Sequence, residues 1–164
     1  MKALKYIMIH CTATPEGRSV SPADIVRWHT APIKEGGRGW KQVGYTYLIA
    51  IDGKLEQLVA NNGNDIVDPW EITNGAMGYN AETLHIVYAG GLSAKKIPGI
   101  TGLPPKDTRT PEQLAAMEKL VKELLAKHPK AILIGHNNVA NKACPSFNVR
   151  QWGLSVGIDK KRLF

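Results

Sequence analysis

A strand over residues 5–10 is the first element that the order of apolar and polar positions predicts. Side chains alternate between the two faces of a strand, so Tyr6, Met8 and His10 share one face and the intervening isoleucines share the other. The same pattern of short apolar runs bounded by turn residues predicts four more strands, over residues 45–51, 54–60, 83–89 and 131–134.

The segments between these strands are rich in turn-forming residues. Asp52-Gly53 separates two of the strands by two residues, which is a strong signal for a hairpin. Glycines and prolines predict surface loops over residues 36–39 and 98–105. Residues 61–82 are also loop-like, and a loop of this length inside a compact domain is usually functional or mobile.

Two helices are predicted by a cap residue that directly precedes a proline. Ser21 begins the first helix, which ends before Pro32, and Thr110 begins the second, which ends near His128. Asn148 is the cap of a third, short helix. The second helix has a predicted apolar stripe formed by Leu114, Met117, Leu120, Val121, Leu124 and Leu125.

Together these elements predict an α+β fold. We expect a single domain spanning residues 1–164, with a central mixed sheet of about five strands and helices packed on it.

An apolar content of 43% is typical of neither a disordered chain nor a membrane protein. The apolar run after Met1 is too short for a signal peptide, and none is long enough to span a membrane. We expect a monomer that is cytoplasmic as synthesised.

The formal net charge is +7, from 21 basic and 14 acidic residues. Such a balance favours polyanionic partners, which include nucleic acid, membrane surfaces and anionic cell-wall polymers. The basic residues are scattered and no run of lysine and arginine stands out, so we expect no nucleic-acid partner. We also expect no membrane insertion, because no apolar stretch is long enough to span a membrane.

The most promising chemistry lies in the loop over residues 135–147, which follows a predicted buried strand. It carries His136 and Cys144, and imidazole nitrogen and thiolate sulfur are both good zinc donors. A catalytic zinc needs three such donors with one position left open. His10 also ends a strand, and it could supply the third donor if the two strands are neighbours.

Two alternatives to this metal site remain open. Cys11 could replace His10 as the third donor, although adjacent strand residues point to opposite faces and only one of the two can face the site. Cys11 and Cys144 could also form a disulfide. No short metal signature such as HExxH or paired CxxC is present to decide between these interpretations.

The other histidines and the tryptophans have simpler interpretations. Three histidines are expected to be structural or solvated, namely His29, His85 and His128. Tryptophans could line a groove for sugar or peptide, but core packing is their commoner use. The candidates for such a groove are Trp40, Trp70 and Trp152.

Four segments, in this order, resemble one known family. They are IHCTAT at residues 9–14, VGYTYLI at 43–49, GYN at 78–80, and residues 136–147 with the sequence KACP at their centre. The chain is similar to the zinc-dependent N-acetylmuramoyl-L-alanine amidases of the type 2 family, particularly to phage amidases that are called lysozymes, with peptidoglycan recognition proteins as relatives. Phage members usually carry a histidine in the loop before GYN, and residues 74–77 have none here.

The resemblance implies zinc ligands and catalytic residues. The ligands would be His10, His136 and Cys144, and the catalytic side chains would be Tyr45 and Lys142. Tyr45 is then the candidate for handling a proton, and Lys142 the candidate for stabilising the charge of an oxyanion. Without the resemblance, the favoured interpretations are that Tyr45 is a packed strand residue and that Lys142 is a solvated charge.

The implied function is hydrolysis of the amide bond between N-acetylmuramic acid and L-alanine in peptidoglycan. The partner would be the muramic acid and stem peptide, and the chain would act as an endolysin after release or export by another route. Two alternatives are a module that binds peptidoglycan without cutting it and a regulatory protein that binds an intracellular partner. The presence of Cys144, Tyr45 and Lys142 argues against the first of these.

Overall fold

Nine strands and three α-helices are present in a computed structural model that describes residues 1–164. In chain order, the strands are β1 (Lys2–Ala3), β2 (Tyr6–Cys11), β3 (Thr14–Pro15), β4 (Tyr47–Ile49), β5 (Leu55–Gln57), β6 (Ile66–Val67), β7 (Thr83–Tyr88), β8 (Gly91–Leu92) and β9 (Ile132–Gly135). The helices are α1 (Pro22–Thr30), α2 (Pro111–Lys127) and α3 (Val149–Ser155).

Five of the strands form a mixed central sheet with the order β5-β4-β7-β2-β9. β2 pairs in parallel with β7 on one side and with β9 on the other, and β7 pairs in parallel with β4. Only β5 is antiparallel to its neighbour. The α+β class and the mixed sheet of five strands that the sequence predicts are confirmed. The remaining strands form two small pairs, β1 with β6 and β3 with β8.

The predicted hairpin at Asp52-Gly53 is present, but its strands are shorter than predicted. The pairing in β4 and β5 covers three residues on each side. It ends at Thr46, whose carbonyl accepts hydrogen bonds from the backbone N–H groups of both Leu58 and Val59. Two N–H groups on one carbonyl are typical of a bulge, which ends regular pairing in a way that alternation of side chains does not predict.

All three helices begin where the cap residues predict. The side chains of Ser21, Thr110 and Asn148 each accept a hydrogen bond from the backbone N–H three residues later. The N3 side chains Asp24 and Gln113 return a bond to the backbone of the cap, which completes a capping box in α1 and in α2. These contacts are local, and for that reason the sequence alone predicts them.

α2 packs its apolar stripe against the side of the sheet that carries the main core, with one exception to the prediction. Leu114 is 37% exposed, whereas Gln113 is fully buried. The Gln113 amide donates hydrogen bonds to the carbonyls of Ile49 and Ala89, so a polar side chain takes a core position by satisfying strand carbonyls. The prediction for Leu114 was therefore wrong.

α2 is the longest helix, at 17 residues. Neither it nor any other helix of the protein has the length and apolar character needed to cross a membrane.

Candidate active site

The carboxyl ends of β2 and β9 meet at one edge of the sheet, because these strands are parallel neighbours. Ile9 pairs with Gly135. The residues that follow them in the two strands, His10 and His136, therefore lie side by side. The condition for a shared site, that the two strands be adjacent, is therefore met. His10 is 1% exposed and His136 is 8% exposed, so both imidazoles are withdrawn from bulk water.

The side chains of His10, His136 and Cys144 converge on one point. The Nδ1 atoms of the two histidines are 3.2 Å apart, and the Cys144 Sγ lies 3.8 Å from His10 Nδ1. The ligand atoms of all three residues lie within 4.8 Å of one another. A tetrahedral zinc with its usual bond lengths sets nitrogens about 3.3 Å apart and sulfur about 3.6 Å from nitrogen. The spacing and the donor chemistry of this trio therefore fit a zinc ion.

Hydrogen bonds from strands β7 and β2 hold the loop that carries Cys144 in place. The Tyr88 hydroxyl donates to the carbonyl of Pro145 at 2.7 Å, which ties the loop to the central strand β7. The backbone N–H of Cys11 points at the Cys144 Sγ at 3.3 Å. An N–H aimed at sulfur stabilises the thiolate form, which is the form that binds a metal.

Both histidines of the trio are neutral at neutral pH. Burial lowers the pKa of His10 well below its ordinary value, and the neighbouring His85 and His136 lower it further. Burial, followed by the charge of Lys142, lowers the pKa of His136. Neutral imidazole has a lone pair available for a metal, so the charges around the trio favour ligation rather than protonation.

The second cysteine, Cys11, contacts Cys144 but is not one of the three converging donors. Cys11 packs in the main core together with Ile7 and Ile9, on the face of β2 opposite to His10. Both Cys11 and Cys144 are free thiols. Hydrogen bonding with the Cys11 thiol and burial raise the pKa of the Cys144 thiol in the metal-free protein. Metal binding at Cys144 would therefore release a proton.

A cavity of about 430 Å³ opens above the trio. Tyr45 and Lys142 both lie in its wall, together with His136. The Tyr45 ring centroid is 5.2 Å from that of His10. Burial, followed by the nearby cysteines, raises the pKa of Tyr45, so its hydroxyl keeps its proton at neutral pH. Three of the five residues that the resemblance named thus share one cavity, namely Tyr45, His136 and Lys142.

The predicted long loop also contributes to this cavity. Residues 74–78, within the stretch over 61–82, form part of the wall. Met77 is 96% exposed at its rim. Trp40 lines the cavity as well, whereas Trp152 is buried in the main core and Trp70 is exposed.

Two histidines that were interpreted as structural or solvated lie at the site. His29 lines the cavity, and its Nδ1 accepts a hydrogen bond from the backbone N–H of Gly44. His85 is fully buried, and its Nδ1 lies 2.8 Å from His10 Nε2. Neither residue belongs to a local motif, and the contact of His85 depends on the strand order. His128 lies away from the site, buried beside Asp65.

We expect the metal-free protein to lose stability as the pH falls from about 6.5 to about 4. Burial, followed by Arg38, lowers the pKa of His29 to about 4, while a histidine in the unfolded chain titrates near 6.5. Between these pH values only the unfolded chain takes up the proton, which favours unfolding. The stability that comes from the neutral, buried His29 is therefore complete above pH 6.5 and is lost as the pH falls toward 4. The slope from one such residue reaches about 1.4 kcal/mol per pH unit.

Urea unfolding of the EDTA-treated protein at several pH values measures this slope. The variant His29→Gln keeps an acceptor for the Gly44 N–H but cannot titrate, so its stability should fall less steeply. Equal slopes in the two proteins would contradict the assignment to His29.

Known proteins resemble this chain in sequence and in fold. A family model described as N-acetylmuramoyl-L-alanine amidase matches residues 1–147. The endolysin of Enterobacteria phage K11 is 34% identical over 144 residues, which are 88% of this chain and 82% of that protein. The amidase LysC of Clostridium intestinale URNW superposes with a TM-score of 0.68 at 21% identity, covering 96% of this chain and 87% of that one.

A peptidoglycan recognition protein shares the fold as well. The bumblebee protein PGRP-SA superposes with a TM-score of 0.66 at 19% identity, and the alignment covers 100% of this chain and 86% of that one. At such identities the two structures establish a common fold and nothing more.

Proposed function

This chain belongs to the N-acetylmuramoyl-L-alanine amidase family and hydrolyses peptidoglycan, and we propose that it does so with a zinc ion held by His10, His136 and Cys144. The observation that carries the proposal is the convergence of these three donors beneath a cavity whose wall contains Tyr45 and Lys142. The bond that is cut is the amide between the lactyl group of N-acetylmuramic acid and the L-alanine of the stem peptide.

Hydrolysis of an amide at neutral pH needs an activated nucleophile and a group that stabilises negative charge on the carbonyl oxygen. When bound, zinc supplies Lewis acidity, which polarises a carbonyl and acidifies a water molecule. The neutral imidazoles of His10 and His136 and the sulfur of Cys144 are suited to hold it. The burial of the two imidazoles excludes bulk water from one side of the site, which strengthens electrostatic interactions there.

Tyr45 and Lys142 are proposed to act on the substrate. The Lys142 ammonium lies in the cavity wall and can stabilise an oxyanion through its charge. The raised pKa of Tyr45 keeps a proton on its hydroxyl oxygen, so Tyr45 can donate a hydrogen bond to that oxyanion. Tyr45 is therefore proposed both for handling a proton and for donating a hydrogen bond to the oxyanion.

The substrate and the setting follow from the same proposal. A net charge of +7 is suited to binding an anionic wall polymer. We propose that residues 1–164 work as one domain, since the main core runs from Leu4 to Leu163. As in an endolysin, the protein would reach peptidoglycan after release from the cell that makes it.

A digest of purified peptidoglycan tests this function directly. The masses of the soluble products are measured with the native protein, after zinc is stripped with a chelator, and after zinc is restored. We expect stem peptides with a free N-terminal alanine, lost on stripping and recovered on restoration. Cleavage at another bond would show that the protein is a peptidoglycan hydrolase but that the proposed bond is wrong. A folded, zinc-loaded protein that binds peptidoglycan without cutting it would instead be a recognition module.

A further inference from the structure

Behind the candidate metal centre, a chain of hydrogen bonds runs from His10 into the protein. His10 Nε2 lies 2.8 Å from His85 Nδ1, and His85 Nε2 lies 3.1 Å from Asn80 Oδ1. The Asn80 Oδ1 also accepts a hydrogen bond from the backbone N–H of Ala76 at 2.8 Å. These hydrogen bonds therefore connect a proposed metal ligand, through a second histidine, to the loop that forms part of the cavity wall.

The direction of each of these hydrogen bonds follows from the last one, between Ala76 and Asn80. A backbone N–H can only donate, so the Asn80 atom beside Ala76 must be the amide oxygen. An amide oxygen can only accept, so His85 Nε2 must carry the proton that is donated to it. In a neutral imidazole the other nitrogen is then an acceptor, which leaves His85 Nδ1 to accept from His10 Nε2.

The consequence for His10 is a fixed tautomer. With its proton on Nε2, His10 has its lone pair on Nδ1, and Nδ1 is the atom that lies 3.2 Å from His136 Nδ1 and 3.8 Å from the Cys144 Sγ. The bond to His85 also restricts rotation of the His10 ring. Partners of this kind orient metal-binding histidines and raise their basicity.

We propose that His85 and Asn80 are positioning residues, which hold the His10 ring with its Nδ1 lone pair directed at the metal. This inference rests on the zinc site proposed above. It assigns a role to a buried histidine in the middle of β7, where no motif indicates one.

Gly75 supplies the space that this arrangement requires. A Cβ atom at residue 75 would lie 2.5 Å from His85 Nδ1 and 2.6 Å from His85 Cγ, closer than a side chain can approach. The loop over residues 74–77, which lacks a histidine, thus lies directly against the imidazole that β7 provides. His85 pairs in register with Met8 on β2, which places its side chain on the same face of the sheet as His10.

The test compares the zinc affinity of two replacements at His85. His85→Leu fills the space with an apolar side chain but removes the nitrogen that accepts the hydrogen bond from His10. We expect this variant to bind zinc about 10- to 100-fold more weakly. His85→Asn keeps an oxygen at about the position of Nδ1, and it should recover most of that loss. Zinc affinity is measured by competition with a chromophoric chelator, and the absorption spectrum of the cobalt-substituted protein reports the geometry of the ligands.

The control variant is Met8→Leu, which alters a fully buried side chain on the same sheet face without removing a polar contact. It should bind zinc as the native protein does. Melting temperatures with chelator present identify any variant that does not fold. In that event a second pair of variants is made at Asn80, the half-buried residue at the end of the hydrogen-bond series. Asn80→Ala should weaken zinc binding several-fold. Asn80→Asp keeps an oxygen that accepts the hydrogen bond from His85 and should not weaken it.

The outcomes separate this inference from the zinc site itself. A native protein that binds no zinc would overturn both. A native protein that binds zinc, with His85→Leu binding it equally well, would overturn only the positioning role. Equal losses in His85→Leu and His85→Asn would also overturn it, because the effect would then come from packing rather than from the acceptor.

Discussion

Cys144→Ser should abolish zinc binding and peptidoglycan cleavage together. Serine keeps the size of the side chain, but its hydroxyl is a far poorer zinc donor than a thiolate. Two histidines would remain, too few for a catalytic zinc site. Because Lewis-acid catalysis by a metal supplies several kcal/mol of transition-state stabilisation, we expect a loss of activity of about 10³-fold or more. His10→Ala should behave in the same way.

Metal content and product release, measured on the same preparations, check this result. Cys11→Ser is the matched control, because Cys11 is not one of the three converging donors and its contact with the Cys144 Sγ is made by a backbone N–H that the substitution keeps. That variant should keep its zinc and most of its activity, with a modest loss of stability. If Cys11→Ser lost zinc and Cys144→Ser kept it, the ligand would be Cys11, the alternative that the sequence left open.

Lys142→Met and Tyr45→Phe should retain zinc and lose turnover. Neither residue belongs to the donor trio, and both lie in the cavity wall above it. Removal of one donor to an oxyanion costs about 10²- to 10³-fold in kcat. We expect losses of this order for each variant, with zinc content equal to that of the native protein and little change in KM.

Matched variants distinguish a role on the substrate from a general effect of charge. Lys119→Met removes a lysine from the exposed face of α2, far from the cavity, and should leave kcat unchanged. Lys142→Arg keeps the charge and should recover part of the activity. Full activity in Lys142→Met or Tyr45→Phe would refute the assigned mechanism, and loss of zinc in either would place that residue in the metal centre.

The elements that the sequence predicted correctly depend on interactions between near neighbours. Ser21, Thr110 and Asn148 begin helices because a side chain bonds to a backbone N–H three residues away. Asp52-Gly53 turns the chain because the turn needs a glycine at φ 84°. Such contacts can be inferred from spacing without knowledge of the fold.

The contacts that the sequence did not predict involve partners that are distant in the chain. Leu114 was placed in the core by periodicity, yet Gln113 is buried instead because the carbonyls of Ile49 and Ala89 lie within its reach. His29 and His85 were interpreted as structural or solvated, since nothing near them in the chain indicates a site. Their surroundings come from other strands and loops.

The sequence by itself determined the class of the fold, the starts of the helices, the family, and the candidate residues His10, His136, Cys144, Tyr45 and Lys142. It did so because capping, alternation and motif order are properties of short stretches of chain. Only the tertiary structure decided that β2 lies between β7 and β9, which brings the histidines to one point and places His85 behind His10. Strand order depends on which apolar faces pack together across the whole chain, and no local pattern records it.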